Sequence, residues 1–101
     1  MNKFQRKHYW NIVSEIHHLC DIKSRDYSDE MIAAGKEDNI TQLGTKGVYV
    51  RMVDKMARLH KMIWLEKTND VKLEGLEDAL KDLANYAIIS LMLIRKVWRE
   101  K

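Results

Sequence analysis

From Leu83 to Ile94 the chain reads Leu-Ala-Asn-Tyr-Ala-Ile-Ile-Ser-Leu-Met-Leu-Ile. Wound into a helix, this stretch is apolar nearly all the way round, and such a helix must be covered by protein on more than one side. A chain of 101 residues makes one domain with one modest core, so a single domain spanning 1–101 is the expectation. Three helices of one small chain cannot cover the whole stretch. The expected remedy is a second copy, giving a homodimer or a higher symmetric oligomer. A membrane span is not expected, because Asn85 and Tyr86 interrupt the run and an acidic turn precedes it, leaving it short of the ~20 apolar residues that cross a bilayer.

The rest of the sequence is built for helices. There is no proline and there are 4 glycines, with hydrophobic residues at 46% and charged residues at 33%, a composition without breakers and rich in good helix formers. The fold class is therefore all-α, a compact bundle of three long helices plus a short one. The first helix is expected from about Lys3 to Lys23, with Phe4, Ile12, Ile16, Leu19 and Cys20 as its apolar stripe. Ser24 to Asp29 carries turn and cap chemistry, and a short helix follows through Ala34. Gly35 to Gly47 has no helical periodicity and reads as a loop. The second helix is expected from Gly47 to Leu65 with Val48, Met52, Met56, Leu59 and Ile63 as core. A connector from Glu66 to Glu74 leads to the third, from Gly75 to Trp98.

Charge and sulfur narrow the chemistry. The formal charge of +3 comes from scattered basic residues, which suits a phosphate-bearing small ligand as well as nucleic acid. A nucleic-acid adaptor rests only on the basic residues at the two ends, Lys3-Arg6-Lys7 and Arg95-Lys96-Arg99-Lys101. The single Cys20 cannot close an internal disulfide, and Lys3, Arg6 and Lys7 break any signal-peptide stretch, so the cytoplasm is expected. His17 and His18 point about 100° apart on a helix, and no further spaced ligand completes a zinc set. No glycine-rich phosphate loop or nucleophile signature is present.

The polar groups set into the third helix are the best clue. Asp78 and Asp82 are four residues apart and Asn85 is three further on, so all three project from roughly one helical side. Carboxylates and an amide beside an apolar stripe suit Mg²⁺, which prefers oxygen ligands and arrives with phosphates. The ordinary alternative is a solvated acidic edge. On the second helix Asp54 stands among Arg51, Lys55 and Arg58, and its ordinary role is an i,i+4 pair with Arg58. If Asp54 instead faces the Asp78, Asp82 and Asn85 edge, acids from both helices would hold Mg²⁺ while the cations contact phosphate.

Leu43-Gly44-Thr45-Lys46-Gly47-Val48-Tyr49-Val50-Arg51-Met52-Val53-Asp54-Lys55-Met56-Ala57-Arg58-Leu59 followed by Glu77-Asp78-Ala79-Leu80-Lys81-Asp82-Leu83-Ala84-Asn85-Tyr86-Ala87 resembles the nucleotide-modification-associated domain family found largely in phages and prophages. Lys23-Ser24-Arg25-Asp26-Tyr27 resembles its Lys-x-x-Asp-Tyr element. That family is similar to the all-α nucleoside triphosphate pyrophosphohydrolases, the MazG-like and dimeric dUTPase groups, whose Glu-x-x-Glu and Glu-x-x-Asp pairs hold Mg²⁺. The resemblance implies a MazG-like fold in a host cytoplasm and a nucleotide ligand. Asp82-x-x-Asn85 takes the place of one acidic pair and Arg51-x-x-Asp54 that of the other. Asp54 and Asp82 would be catalytic, and Asp54, Asp78 and Asp82 would hold the metal. Arg51, Lys55, Arg58, Lys46 and Asn85 would bind substrate, with the base stacked on Tyr27 or Tyr49. Each pair has lost one carboxylate, to an amide in one and to a cation in the other. That departure equally allows a module that binds a nucleotide signal without cleaving it.

Overall fold

The computed structural model describes residues 1–33, 43–66 and 73–98, with side chains over 1–23, 43–66 and 75–98. The chain is all-helical in the order α1 (Lys3–Ala33), α2 (Gly44–Leu59) and α3 (Leu73–Ile94), with a single π-type turn, His60–Trp64, extending α2. It divides into two compact units, Met1–Asp38 and Asn39–Lys101. Among the described residues no helix is long and apolar enough to cross a membrane.

α1 runs through the segment expected to turn. Ser24 to Asp29 continue the helix to Ala33, so the long helix and the short one expected after it are one element. Ser and Asp side chains offer the backbone a competing bond, but a weak one. Once a helix is nucleated, each further residue adds a backbone bond for one residue fixed. At the other end α1 is closed by a reciprocal cap: Gln5 N–H donates to Asn2 Oδ1 at 2.8 Å and Asn2 N–H to Gln5 Oε1 at 2.9 Å. These two bonds satisfy two of the free donors at the helix start. The stripe assigned to α1 is only partly covered: Ile16, Leu19 and Cys20 are half-buried, whereas Phe4 and Ile12 are exposed. Of the expected loop, residues 35–42 lie outside the described residues, as does most of the connector expected at Glu66 to Glu74.

α2 begins at Gly44, three residues earlier than the periodicity implied. Gly44 has φ +64°, a left-handed conformation that costs other L-residues about 1–2 kcal/mol, and this is what lets the chain enter the helix there. After Leu59 the π-type turn ends where Leu65 N–H donates to His60 C=O, and Glu66 leaves it with φ +48°. α3 stops at Ile94, four residues short of the expected end. Val97 N–H reaches back to Met92 C=O and Lys96 N–H to Leu93 C=O, with Lys96 at φ +58°. That is a Schellman cap with a lysine in the place usually held by glycine.

α2 and α3 pack as an antiparallel hairpin, since advancing from Lys55 to Arg58 on α2 moves the neighbour on α3 back from Asp82 to Gly75. Its fully covered apolar residues are Val48, Leu59, Ala79 and Ile89. The expected α2 stripe is corrected. Met52 is half-buried, but Met56 and Ile63 are exposed, and the covered or half-covered positions are Gly44, Gly47, Val48, Arg51, Met52, Lys55, Leu59 and Met62. The inward line therefore runs one residue earlier at its middle and its end than the apolar count suggested.

Candidate functional site

The line Val48, Met52, Lys55, Leu59 steps by four, three and four residues, the rhythm of one face of a helix. A lysine thus occupies a core position. The α3 line Ala79, Asp82, Tyr86, Ile89 steps by three, four and three and puts a carboxylate opposite it. Lys55 Nζ donates to Asp82 Oδ2 at 3.0 Å, and the two side chains are only 24% and 10% exposed. Burying either charge alone would be expensive; together they satisfy one another. No buried side-chain nitrogen or oxygen among the described residues is left without a partner.

Around this pair the hairpin gathers polar groups. Asn85, one turn beyond Asp82, is buried. Arg51, one turn before Lys55 on the same side of α2, is half-buried. Arg58, one turn after Lys55, is exposed and reaches the start of α3: a Cβ placed on Gly75 would stand 4.0 Å from its Nη2. Arg51, Lys55 and Arg58 therefore form a cationic line along the α3-facing side of α2. Lys55 at its centre is fixed by Asp82 while part of its side chain remains open to solvent.

The residues predicted from sequence divide in two. Arg51, Lys55, Arg58, Asp82 and Asn85 come to the junction of α2 and α3. Asp54 and Asp78 are exposed, and it is Lys55 in place of Asp54 that meets Asp82. The reason is rotational: neighbours on a helix differ by about 100° in direction, so turning Lys55 inward turns Asp54 away. Lys46 is exposed about half a turn round α2 from Lys55, and Tyr49 is 65% exposed. Of Tyr27 only the helical backbone, within α1, is described.

The three-carboxylate metal set is not assembled by these side chains. Among the described residues no three His, Cys, Asp or Glu groups come together that could hold a metal ion, and the one carboxylate at the junction is bonded to an ammonium. In α1, His17 Nε2 lies 3.6 Å from Asp21 Oδ2 as an exposed i,i+4 pair. Sequence reasoning missed the Lys55–Asp82 bond itself. The signal was present in the matching core spacings, with a cation on one line and an acid on the other. No family model matches the chain, and neither a curated protein nor a solved structure is found to match it.

Proposed function

We propose that the α2–α3 hairpin is a nucleotide-binding module that takes the phosphate groups of its ligand on Arg51, Lys55 and Arg58 and need not cleave them. The observation that supports this reading is the bond between Lys55 Nζ and Asp82 Oδ2 at 3.0 Å in a largely covered setting. An ammonium has three donors. Asp82 engages one side of it and holds the flexible stem still, so the remaining donors are oriented before a phosphate arrives. The two flanking guanidinium groups add planar, bidentate donors suited to phosphate oxygens. Asn85 is placed to read a sugar or base group through either its amide donor or its acceptor. The resemblance of these segments to the nucleotide-modification-associated domains points to the same ligand class, and in a phage setting such a module would sequester a nucleotide signal.

A second reading is favoured by the depth of Asp82 beside Asn85, both buried on α3. Here the chain is a Mg²⁺-dependent nucleoside triphosphate pyrophosphohydrolase whose cation is held mainly by the substrate's phosphates, with Asp82 and Asn85 as its protein oxygens. One experiment separates the two. Nucleoside triphosphates and cyclic nucleotides are titrated calorimetrically with and without Mg²⁺, and the recovered ligand is analysed. The binding module returns its ligand unchanged and binds it without Mg²⁺, and Arg58→Glu weakens it by about tenfold or more, since a charge-assisted contact is worth ~1.5–3 kcal/mol. The hydrolase gives a monophosphate and pyrophosphate only with Mg²⁺, and Asp82→Asn stops turnover. A panel with neither binding nor cleavage removes both readings.

A further inference from the structure

Lysine and arginine are spread along the chain, but the acids that balance them are not. Met1 to Ser14 hold three of the 18 basic residues and none of the 15 acidic ones, so the formal charge of +3 resides in this stretch and the remainder balances at 15 against 15. In the structure the stretch forms the first turns of α1. Lys3, Arg6 and Lys7 are exposed there, and neither lysine has an ion-pair partner among the described residues. Their placement opposes helix stability. The free amides of a helix start carry partial positive charge that favours acids, yet the first turn of α1 has none, and Lys3 and Lys7 form a like-charge i,i+4 pair. Aromatic rings stand among these charges: Phe4, Tyr9 and Trp10 are 72%, 49% and 60% exposed. Arg6 and Lys7 come four and three residues before Trp10, and Lys3 comes seven before it, so the indole shares one side of the helix with all three cations.

We infer that the first turns of α1 bind single-stranded nucleic acid, with Lys3, Arg6 and Lys7 on its phosphates and a base stacked on Trp10. An unpaired strand offers a phosphate and a bare base face at every step, and cations interleaved with exposed rings meet both. Tyr9 steadies the indole through a T-shaped contact, with ring centroids 5.5 Å apart and planes at 84°. Arg6 Nη2 donates to Met1 C=O at 3.2 Å, which uses one donor of a guanidinium that has five. An anionic bilayer is the other polyanion that attracts lysine and tryptophan, but a helix lying on lipid keeps its cations and its rings on opposite sides. Here Trp10 lies among the cations. At about 100° per residue, Phe4, Tyr9 and Trp10 also point in three directions roughly 100–140° apart, so no single lipid surface receives them. The inference concerns α1 and stands apart from the nucleotide reading of the α2–α3 hairpin.

The test is fluorescence anisotropy of a labelled single-stranded oligothymidylate titrated with the full chain, with circular dichroism to verify that each variant is helical. The wild type is expected to bind, and log affinity against log salt should fall with a slope of about −2, as three phosphate contacts contribute ~0.7 each. Lys7→Gln should flatten that slope by about 0.7. Trp10→Ala should weaken binding about tenfold at an unchanged slope, through the loss of one stacked base, and Trp10→Phe should recover most of it. An abasic oligomer should bind the wild type and Trp10→Ala equally. A wild type that does not bind oligothymidylate overturns the inference. So does a Trp10→Ala protein that binds it as tightly as the wild type, a slope indifferent to Lys7→Gln, or tighter binding to phosphatidylserine vesicles than to the oligomer. Mononucleotide binding by Trp10→Ala is expected to be unchanged, and its loss would deny that α1 is a site separate from the hairpin.

Discussion

The two faces of α3 invert the usual rule of polarity. Towards α2 the helix covers Asp82 and Asn85 along with Ala79 and Ile89, while on the far side Leu80, Ile88, Leu91 and Ile94 remain open. Apolar surface in water costs about 25 cal/mol per Å², and a covered charge is tolerated only when paired. A single chain shaped by stability alone would place these residues the other way round. The inner face is therefore read as a site, with a fixed ammonium and a covered amide. The outer face keeps four large apolar side chains in the open.

Breaking the inner pair should have the largest effect. Lys55→Met takes its ammonium away from the covered Asp82 carboxylate, and is expected to cost about 3 kcal/mol, the lower end for splitting a buried pair. Adding Asp82→Leu should recover most of it, because two well-packed apolar groups replace two charges. Urea unfolding followed by circular dichroism measures both, and a Lys55→Met protein within about 0.5 kcal/mol of wild type, the spread of ordinary surface changes, would show that the pair is a surface ornament. Next in size, Ile89→Ala on the inner face should cost about 2 kcal/mol, the low end for a large-to-small core change in a hairpin able to collapse around the space. By contrast, Leu91→Ala on the outer face should change monomer stability by no more than about 0.5 kcal/mol. Equal losses at positions 89 and 91 would erase the distinction between the faces. Smallest is Lys96→Gly at the cap: relieving a left-handed lysine (φ +58°) is largely offset by the greater freedom of glycine in the unfolded chain, so the fold should gain no more than about 0.5 kcal/mol. A thermal melt measures the change, and a Tm below that of the wild type would refute it.

Much of the helical content could be read from the chain. The absence of proline, the scarcity of glycine and the periodic apolar residues placed helices over Lys3 to Lys23, Gly47 to Leu65 and Gly75 to Trp98, and the structure has them over Lys3–Ala33, Gly44–Leu59 and Leu73–Ile94. The ends were less legible for identifiable reasons. Ser24 to Asp29 carry side chains that favour turns, yet the helix propagates through them. α3 stops on a lysine that gives no terminal signal, whereas the Asn2 and Gln5 cap has a visible spacing that went unread. At the site, the residue types were legible and their directions were not. Val48, Met52, Met56 and Leu59 make as good an apolar line as Val48, Met52, Lys55 and Leu59 when each helix is considered alone.

The sequence by itself determined that the chain is helical and that cations and acids sit within one turn of apolar residues on both α2 and α3. Only the tertiary structure decided that Lys55 faces Asp82 while Asp54 faces water. A helix can turn about its axis without breaking one backbone hydrogen bond, so its rotation is fixed by the side chains of the helix packed against it. Here the acid of α3 selects the cation of α2.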